Sequence, residues 1–309
     1  MIKIKVSVNE CHTLRIAIER TLVEQKHVIM EATIQTILVP TDLSEKGANA
    51  MEYAIGIAKK TNAKIILYHT YHIPTIVTDV TVVMPSIDEV ENGIREGMEV
   101  LRADVVRRLG DPSRVSYTFN PGFPKEEIIE FAKECFADLI VMGMQGSGFI
   151  NEYLFGSVTV SVMRHSPCMV LAVGTQTKYK EIKHITLACD YRTIPHPEKV
   201  FAPFKALVKL LDAHVYILHI ATNPVEAPNP DQAAEGVVLD HALEGVSHTF
   251  HQYQDSDVVH GLNEFIDKYS IDLLTMVPHE HTFLHNLMVG SETKRMAFHG
   301  NAPMLIIPT

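Results

Sequence analysis

The chain has few cysteines, and their spacing argues against a fold held together by disulfides or by a cysteine-bound zinc ion. Its four cysteines are far apart in sequence and form no CxxC pair. Disulfide frameworks and cysteine zinc sites depend on closely spaced pairs. The pattern therefore argues against both and is typical of a protein from a reducing compartment. The four residues are Cys11, Cys135, Cys168 and Cys189.

Long apolar runs and an excess of basic charge are also missing. No segment approaches the roughly 20 apolar residues of a membrane span, and the first residues lack the apolar core of a signal peptide. With 27 basic against 37 acidic residues, the formal net charge is -10, so the net basic face of nonspecific nucleic-acid binding is absent. We expect a cytoplasmic protein with neither a membrane nor a nucleic-acid partner.

What is present is an alternation of apolar runs and helical stretches. Strand-like runs begin near residues 36, 64, 115, 138 and 168, and amphipathic segments separate them. Strands that alternate with helices predict an α/β fold with a doubly wound, five-stranded parallel sheet. Residues 72–86, with two prolines and many β-branched residues, are predicted to form a loop or lid.

The same landmarks then occur a second time in the same order. Residues 184–190 repeat residues 36–42, and residues 271–276 repeat residues 137–142. Such self-similarity predicts two tandem domains of one fold. We place the first domain at residues 34–175, the second at residues 182–309, and an extension outside the core fold at residues 1–33.

Small residues are concentrated between residues 142 and 159. Gly143 and Gly146 follow the fourth predicted strand, and Gly156 with Ser157 begins the next helix. Glycines at the carboxyl edge of a parallel sheet let the backbone approach a phosphate closely. The first amides of a helix and its positive dipole end attract an anion. The spacing predicts a phosphate site built from backbone amides, with hydroxyl donors from Ser157 and Thr159.

Asp42 ends the first predicted strand at the same edge of the sheet. Its carboxylate is suited to accept a hydrogen bond from a ribose hydroxyl or an adenine amine. The alternative interpretation is a helix N-cap carboxylate. His69 and His219 end the second strand of each copy, and we predict structural roles for both histidines.

The glycine pattern, G-x2-G-x9-G-[ST] after a hydrophobic strand, resembles the nucleotide-binding signature of the universal stress proteins. Residues 39–44 (VPTDLS), 122–128 (GFPKEEI) and 165–168 (HSPC) are also similar to that family. The resemblance covers about residues 34–309 in two copies and implies ATP, with or without magnesium, as the ligand. It assigns the adenine side to Pro40, Thr41, Asp42 and Thr70, and the phosphate side to Met142, Gly143, Gly146, Gly156, Ser157, Val158 and Thr159.

The second copy departs from this pattern. Counting back from Gly290-Ser291, Gly143 corresponds to Val277 and Gly146 corresponds to Glu280. Side chains at these positions crowd the phosphate path, and Glu280 adds a repelling charge. We therefore expect the second domain to bind ATP weakly or not at all.

The last strand of each copy is apolar, at residues 168–173 and 303–307. An exposed apolar edge strand invites pairing, and the resemblance implies that these two strands pair across a pseudo-twofold axis. The fusion then forms an intramolecular dimer of two five-stranded sheets, and a further homodimer is an open alternative.

Two other functional classes stay open at this point. One is a ligand-independent interaction or chaperone-like module, in which the glycines serve only the fold. The other is a weak ATPase or a zinc-binding protein. His279, His281 and His285 are the candidate zinc ligands, although they do not form an HExxH motif. We expect no metal site and no catalytic residue, and at most slow ATP hydrolysis, because no general base is evident.

Overall fold

The computed structural model describes residues 33–72, 86–144, 156–222, 230–278 and 302–309. These residues belong to one compact unit, Thr33–Thr309. The predicted extension up to residue 32, residues 73–85 of the predicted lid, and the three candidate zinc histidines lie outside the described residues. Among the helices that are described, none combines the length and the apolar character that crossing a membrane requires.

The first half alternates strands and helices as the sequence predicts. Its helices are α1 (Ala48–Thr61), α2 (Ile87–Leu109), α3 (Pro124–Glu134) and α4 (Ser157–His165). Its strands are β1 (Thr36–Pro40), β2 (Lys64–Tyr71), β3 (Val115–Pro121), β4 (Leu139–Gly143) and β5 (Met169–Val173).

The second half repeats this order. Its described helices are α5 (Pro197–Leu211), α6 (Pro230–Ala242) and α7 (Val258–Tyr269). Its strands are β6 (His184–Ala188), β7 (His214–Ala221), β8 (His248–Gln254), β9 (Leu273–Met276) and β10 (Met304–Ile306). The tandem α/β architecture is confirmed.

All ten strands form one sheet in the order β3-β2-β1-β4-β5-β10-β9-β6-β7-β8. Each half is parallel within itself. At the centre, β10 runs antiparallel to β5, with Leu305 opposite Leu171. The two predicted five-stranded parallel sheets thus meet along β5 and β10 and form one continuous sheet. Both central strands are fully buried, because each covers the apolar edge of the other.

The longest helix begins and ends where local sequence signals place it. At its start, the Ser86 side chain accepts from the Glu89 amide and the Glu89 side chain accepts from the Ser86 amide, which forms a capping box. At its end, Gly110 has a φ of 84° and its amide donates to Val106. Glycine adopts this left-handed conformation without a steric penalty, so α2 stops there.

The hydrophobic core continues across both halves on each face of the sheet. One cluster contains Ile57 of α1 and Leu171 of β5 together with Phe204 of α5 and Leu305 of β10. A second cluster on the other face likewise joins side chains from both halves. Because the buried apolar surface is shared, we expect the two halves to unfold together.

The segment that joins the halves is fixed against α1. Asn49 Nδ2 donates to the carbonyl of Thr175 at 2.6 Å. The ring of Tyr179 lies over Gly56, where an added Cβ would come within 2.3 Å of the ring. Lys180 forms an ion pair with Asp272 at 2.9 Å. The connection therefore contacts elements of both halves instead of forming a loose tether.

An aspartate holds the start of the first strand in each copy. Asp138 Oδ2 accepts from the amides of Gln35 and Thr36, and Asp272 Oδ2 accepts from those of Lys183 and His184. Burial alone would raise the pKa of Asp272, but these amides and Lys180 hold that pKa below its ordinary value. The repeated aspartate thus has a structural function at the edge opposite the glycine segment.

Buried threonine hydroxyls without a partner occur in the described part of the second half. Thr186 and Thr275 are both fully buried, and neither hydroxyl has a hydrogen-bond partner. Val141 is the counterpart of Thr275 in the first half and is equally buried. The second half therefore carries a desolvated polar group where the first half carries a methyl group.

Replacing Thr275 by valine is expected to raise the free energy of unfolding by about 1–2 kcal/mol, because the variant removes an unpaired buried hydroxyl and keeps the side-chain shape. The matched reverse change, Val141→Thr, is expected to lower that free energy by a similar amount. Urea unfolding measures both. A Thr275→Val protein less stable than the parent would mean that the hydroxyl has a partner.

Candidate functional site

The chain turns sharply where β1 ends. The Thr41 amide still donates to the Tyr68 carbonyl at 2.8 Å, so this residue stays beside β2. Asp42 Oδ1 then accepts from the amide and the hydroxyl of Ser44 at 3.0 and 2.6 Å, which is an Asx turn. Leu43 between them has a φ of 61°. Asp42 is thus exposed two residues past the strand end.

The alternative interpretation of Asp42 as a helix N-cap is wrong. The N-cap residue of α1 is Gly47, and that of the short 3-10 turn before it is Ser44. The Ser44 hydroxyl makes no capping hydrogen bond and instead donates to Asp42. The carboxylate therefore shapes the turn at the carboxyl edge of the sheet.

The structural roles of His69 and His219 are confirmed. His69 Nδ1 lies 2.8 Å from the carbonyl oxygen of Thr41, and His219 Nδ1 lies 3.0 Å from that of Cys189. The two contacts are equivalent in the repeat, so each histidine fixes the end of the first strand to the second. Thr70 follows His69 in β2 and is half-buried.

The carboxyl end of β4 is hydrogen-bonded to the start of α4. Met142 is buried, and Gly143 pairs with Val173 of β5. The Gly156 amide donates to the Met144 carbonyl at 2.7 Å. This bond places Gly156, the residue just before α4, next to the end of β4. Gly146 lies between these points, outside the described residues.

The first turn of α4 presents backbone amides at this edge. The first hydrogen bond within the helix runs from the Val160 amide to the Gly156 carbonyl at 3.0 Å. The amides of Ser157, Val158 and Thr159 therefore have no acceptor within the helix. No acidic side chain occupies this first turn, so the positive end of the helix dipole is not neutralised there.

The two hydroxyl groups of this turn differ in their surroundings. Ser157 is exposed. Thr159 is 3% exposed, and its hydroxyl donates to the Gly143 carbonyl at 2.9 Å. The predicted hydroxyl donation from Thr159 to a phosphate does not fit this geometry, because its one proton goes to Gly143. Its side chain instead ties α4 to the end of β4.

At the corresponding edge of the second half, larger side chains occupy two of the described positions. Tyr191, with a φ of 53°, takes the place of Leu43, and its ring lies 5.0 Å from that of His219. Val277, the counterpart of Gly143, is half-buried and packs against the core. Glu280 lies outside the described residues.

Tyr191 is a residue that the sequence interpretation missed. The signal was available, because Asp42-Leu43 and Asp190-Tyr191 occupy the same place in the repeat. Asp190 forms an ion pair with Arg192 at 3.1 Å. The turn after the first strand of the second half therefore carries the bulkier side chain, tyrosine in place of leucine.

The described cysteines are not reactive centres. Burial raises the pKa of the Cys168 thiol and that of the Cys189 thiol to about 12, and burial also raises the pKa of Cys135. Thiols with such values stay protonated near neutral pH and are poor nucleophiles. Burial thus disfavours the reactive thiolate form at each of these positions. Within the described ranges, no cluster of three or more histidine, cysteine or acidic side chains is arranged to hold a metal ion.

Comparison with known proteins finds one family. Residues 33–174 match the model described as the Universal stress protein family. A universal stress protein of Methanocaldococcus jannaschii is 30% identical over 151 residues, which are 48% of this chain and 86% of that protein. Universal stress protein YxiE of Bacillus subtilis is 30% identical over 143 residues, which are 44% of this chain and 97% of YxiE.

Solved structures are similar over most of the chain. A universal stress protein from Archaeoglobus fulgidus superimposes with a TM-score of 0.65 and 19% identity, and the match covers 90% of this chain and 98% of that one. At this identity the likeness concerns the fold. It includes both halves of the ten-stranded architecture.

Proposed function

This chain belongs to the universal stress protein family, and from that premise we propose that its first half binds ATP or another adenine nucleotide. The nucleotide-bound state then acts as the signal of a stress sensor or regulator. The observation that carries the proposal is the first turn of α4. Three amides there lack acceptors within the helix, and Gly156 is hydrogen-bonded to the end of β4. Such an arrangement binds anions through backbone donors.

The phosphate side of the proposed site combines these amides with glycines. Met142 and Gly143 end β4, and Gly146 follows in the sequence. Glycine allows a phosphate oxygen to come close to the backbone, where a side chain would obstruct it. The exposed Ser157 hydroxyl adds a donor beside the Val158 and Thr159 amides. A magnesium ion bound with the nucleotide is compatible with this side of the site.

The adenosine side of the proposed site lies along the ends of β1 and β2. Pro40, Thr41 and Asp42 line the turn after β1, and Thr70 lies near the end of β2. Asp42 is the proposed acceptor for a ribose hydroxyl or the adenine amino group. Ligands of open parallel sheets bind at this carboxyl edge, next to the point where the strand order reverses. Here β1 and β4 flank that point.

The second half, which we delimit at residues 182–309, is proposed to be a partner domain and not a second nucleotide site. The bulk of Tyr191 and Val277 at the equivalent edge supports this assignment. The β5–β10 pairing supports an intramolecular dimer with the domain at residues 34–175. A further homodimer of whole chains is the alternative assembly.

The variant Gly146→Glu tests the proposed site by copying the residue of the second half. We expect it to weaken ATP binding by at least about tenfold, because a carboxylate near the phosphates both obstructs and repels them. Isothermal titration with ATP measures the change. Ala103→Glu on the exposed face of α2 adds the same charge elsewhere and is the matched control.

Two outcomes of that titration contradict the proposal in different ways. If Gly146→Glu binds ATP as tightly as the parent, the phosphate site is misassigned. If the parent itself binds no adenine nucleotide and its melting temperature does not respond to ATP, a ligand-independent interaction module is the better account.

A further inference from the structure

Two aromatic side chains lie together where β2 and β3 end. The Gly122 amide donates to the Tyr71 carbonyl at 2.9 Å, which keeps the two chain segments side by side past the strands. His72 and Phe123 follow directly. Their ring centroids are 5.3 Å apart, with 34° between the ring planes. His72 is exposed, and Phe123 is 65% exposed.

Neither the core nor the local helix explains a phenylalanine at this position. Phe123 does not belong to either buried cluster. It is the N-cap residue of α3, and it supplies no capping hydrogen bond. Serine, threonine, aspartate or asparagine usually occupies that position, because each offers an acceptor to the free amides. The feature that sets Phe123 apart is its ring contact with His72 at the carboxyl edge of the sheet.

The sheet order places this pair on the adenosine side of the proposed site. Strands β4, β1, β2 and β3 are consecutive neighbours, and neighbouring strands are about 4.8 Å apart. The end of β3 is therefore about 14 Å from the end of β4 across the edge. If the phosphates bind at α4 and Asp42 accepts from the ribose, this strand order leaves the base on the side of His72 and Phe123.

We propose that Phe123, supported by His72, is a stacking platform for the nucleobase and gives the site its preference for nucleotides over bare polyphosphate. This inference rests on the proposed function. Every nucleobase has a π face, and stacking on an aromatic side chain contributes without reading base edges. The platform therefore favours large purine rings and discriminates weakly between adenine and guanine.

The test compares ATP with inorganic triphosphate on the full chain. Phe123→Ala is expected to weaken ATP binding by about tenfold and to leave triphosphate binding unchanged. Phe123→Tyr keeps the ring and is expected to retain the parent affinity for ATP, whereas Phe123→Leu keeps only apolar bulk and is expected to behave like the alanine variant. Phe136→Ala, which removes another highly exposed phenylalanine, is the matched control.

Each remaining outcome contradicts a separate statement. If the parent binds ATP and Phe123→Ala binds it equally well, the platform is refuted and the nucleotide site stands. If Phe123→Ala weakens ATP and triphosphate binding by the same factor, the ring supports the phosphate side, which also refutes the platform. If the parent binds triphosphate as tightly as ATP, no base recognition exists. If the parent binds neither, both the proposed function and the platform fail.

Discussion

Ser157→Pro is expected to weaken ATP binding by at least about tenfold while leaving the free energy of unfolding nearly unchanged. Ser157 is the first residue of α4, a position at which proline is well tolerated. Gly156 before it is already extended, with φ of −63° and ψ of 148°, as a residue preceding proline must be. The substitution therefore removes one amide donor from the proposed phosphate site, and a hydrogen bond to a charged group is worth about 1.5–3 kcal/mol.

Two controls separate the amide from other effects of this substitution. Ser157→Ala removes only the hydroxyl and is expected to weaken ATP binding less than proline does. Val258→Pro makes the same backbone change at the first residue of α7, where the preceding Asp257 is also extended, and is expected to leave ATP binding unchanged. Isothermal titration of all three variants measures their affinity for ATP, and urea unfolding measures their free energy of unfolding. Unchanged ATP affinity in Ser157→Pro would contradict the use of backbone amides.

Leu305→Ala is expected to lower the free energy of unfolding by about 2–5 kcal/mol and to destabilise both halves together. Leu305 is fully buried in β10, opposite Leu171 of β5. The variant leaves a cavity at the centre of the one sheet that both halves share. A defect in the second half is therefore transmitted to the first through the common core.

Single tryptophans make this coupling measurable, because the chain has none. Phe119→Trp places a reporter in β3, and Tyr253→Trp places one in β8, both at half-buried positions at opposite ends of the sheet. Both fluorescence transitions are expected to have the same midpoint and to shift together when Leu305→Ala is added. If Leu305→Ala leaves the midpoint of the β3 reporter unchanged, the two halves unfold independently.

Features encoded by local sequence were predictable. The bounds of α2 follow from the serine and glutamate of its capping box and from Gly110, and α4 begins at the Gly156-Ser157 step. The repeat relates the two halves at the same local level, since Asp138 and Asp272 accept from backbone amides at equivalent positions. These signals act over a few residues and depend little on the rest of the chain.

Features that depend on distant contacts were not predictable in the same way. The pairing of the apolar edge strands β5 and β10, which are more than 130 positions apart in the sequence, was expected from the family resemblance, whereas no local signal specifies it. Strand β8 carries mostly polar and aromatic residues and gave no clear apolar run. The Thr159 hydroxyl donates to a carbonyl 16 residues away, and His72 meets Phe123 only because β2 and β3 are neighbours.

The proposed function places one nucleotide site on each chain, in the first half. Native mass spectrometry of the full chain with a saturating excess of ATP counts bound nucleotides directly. We expect a single ATP on each chain, and none on the Gly146→Glu chain at the same concentration. Two ATP molecules per parent chain would mean that the second half also binds ATP. A parent chain without bound ATP would contradict the proposed site at α4.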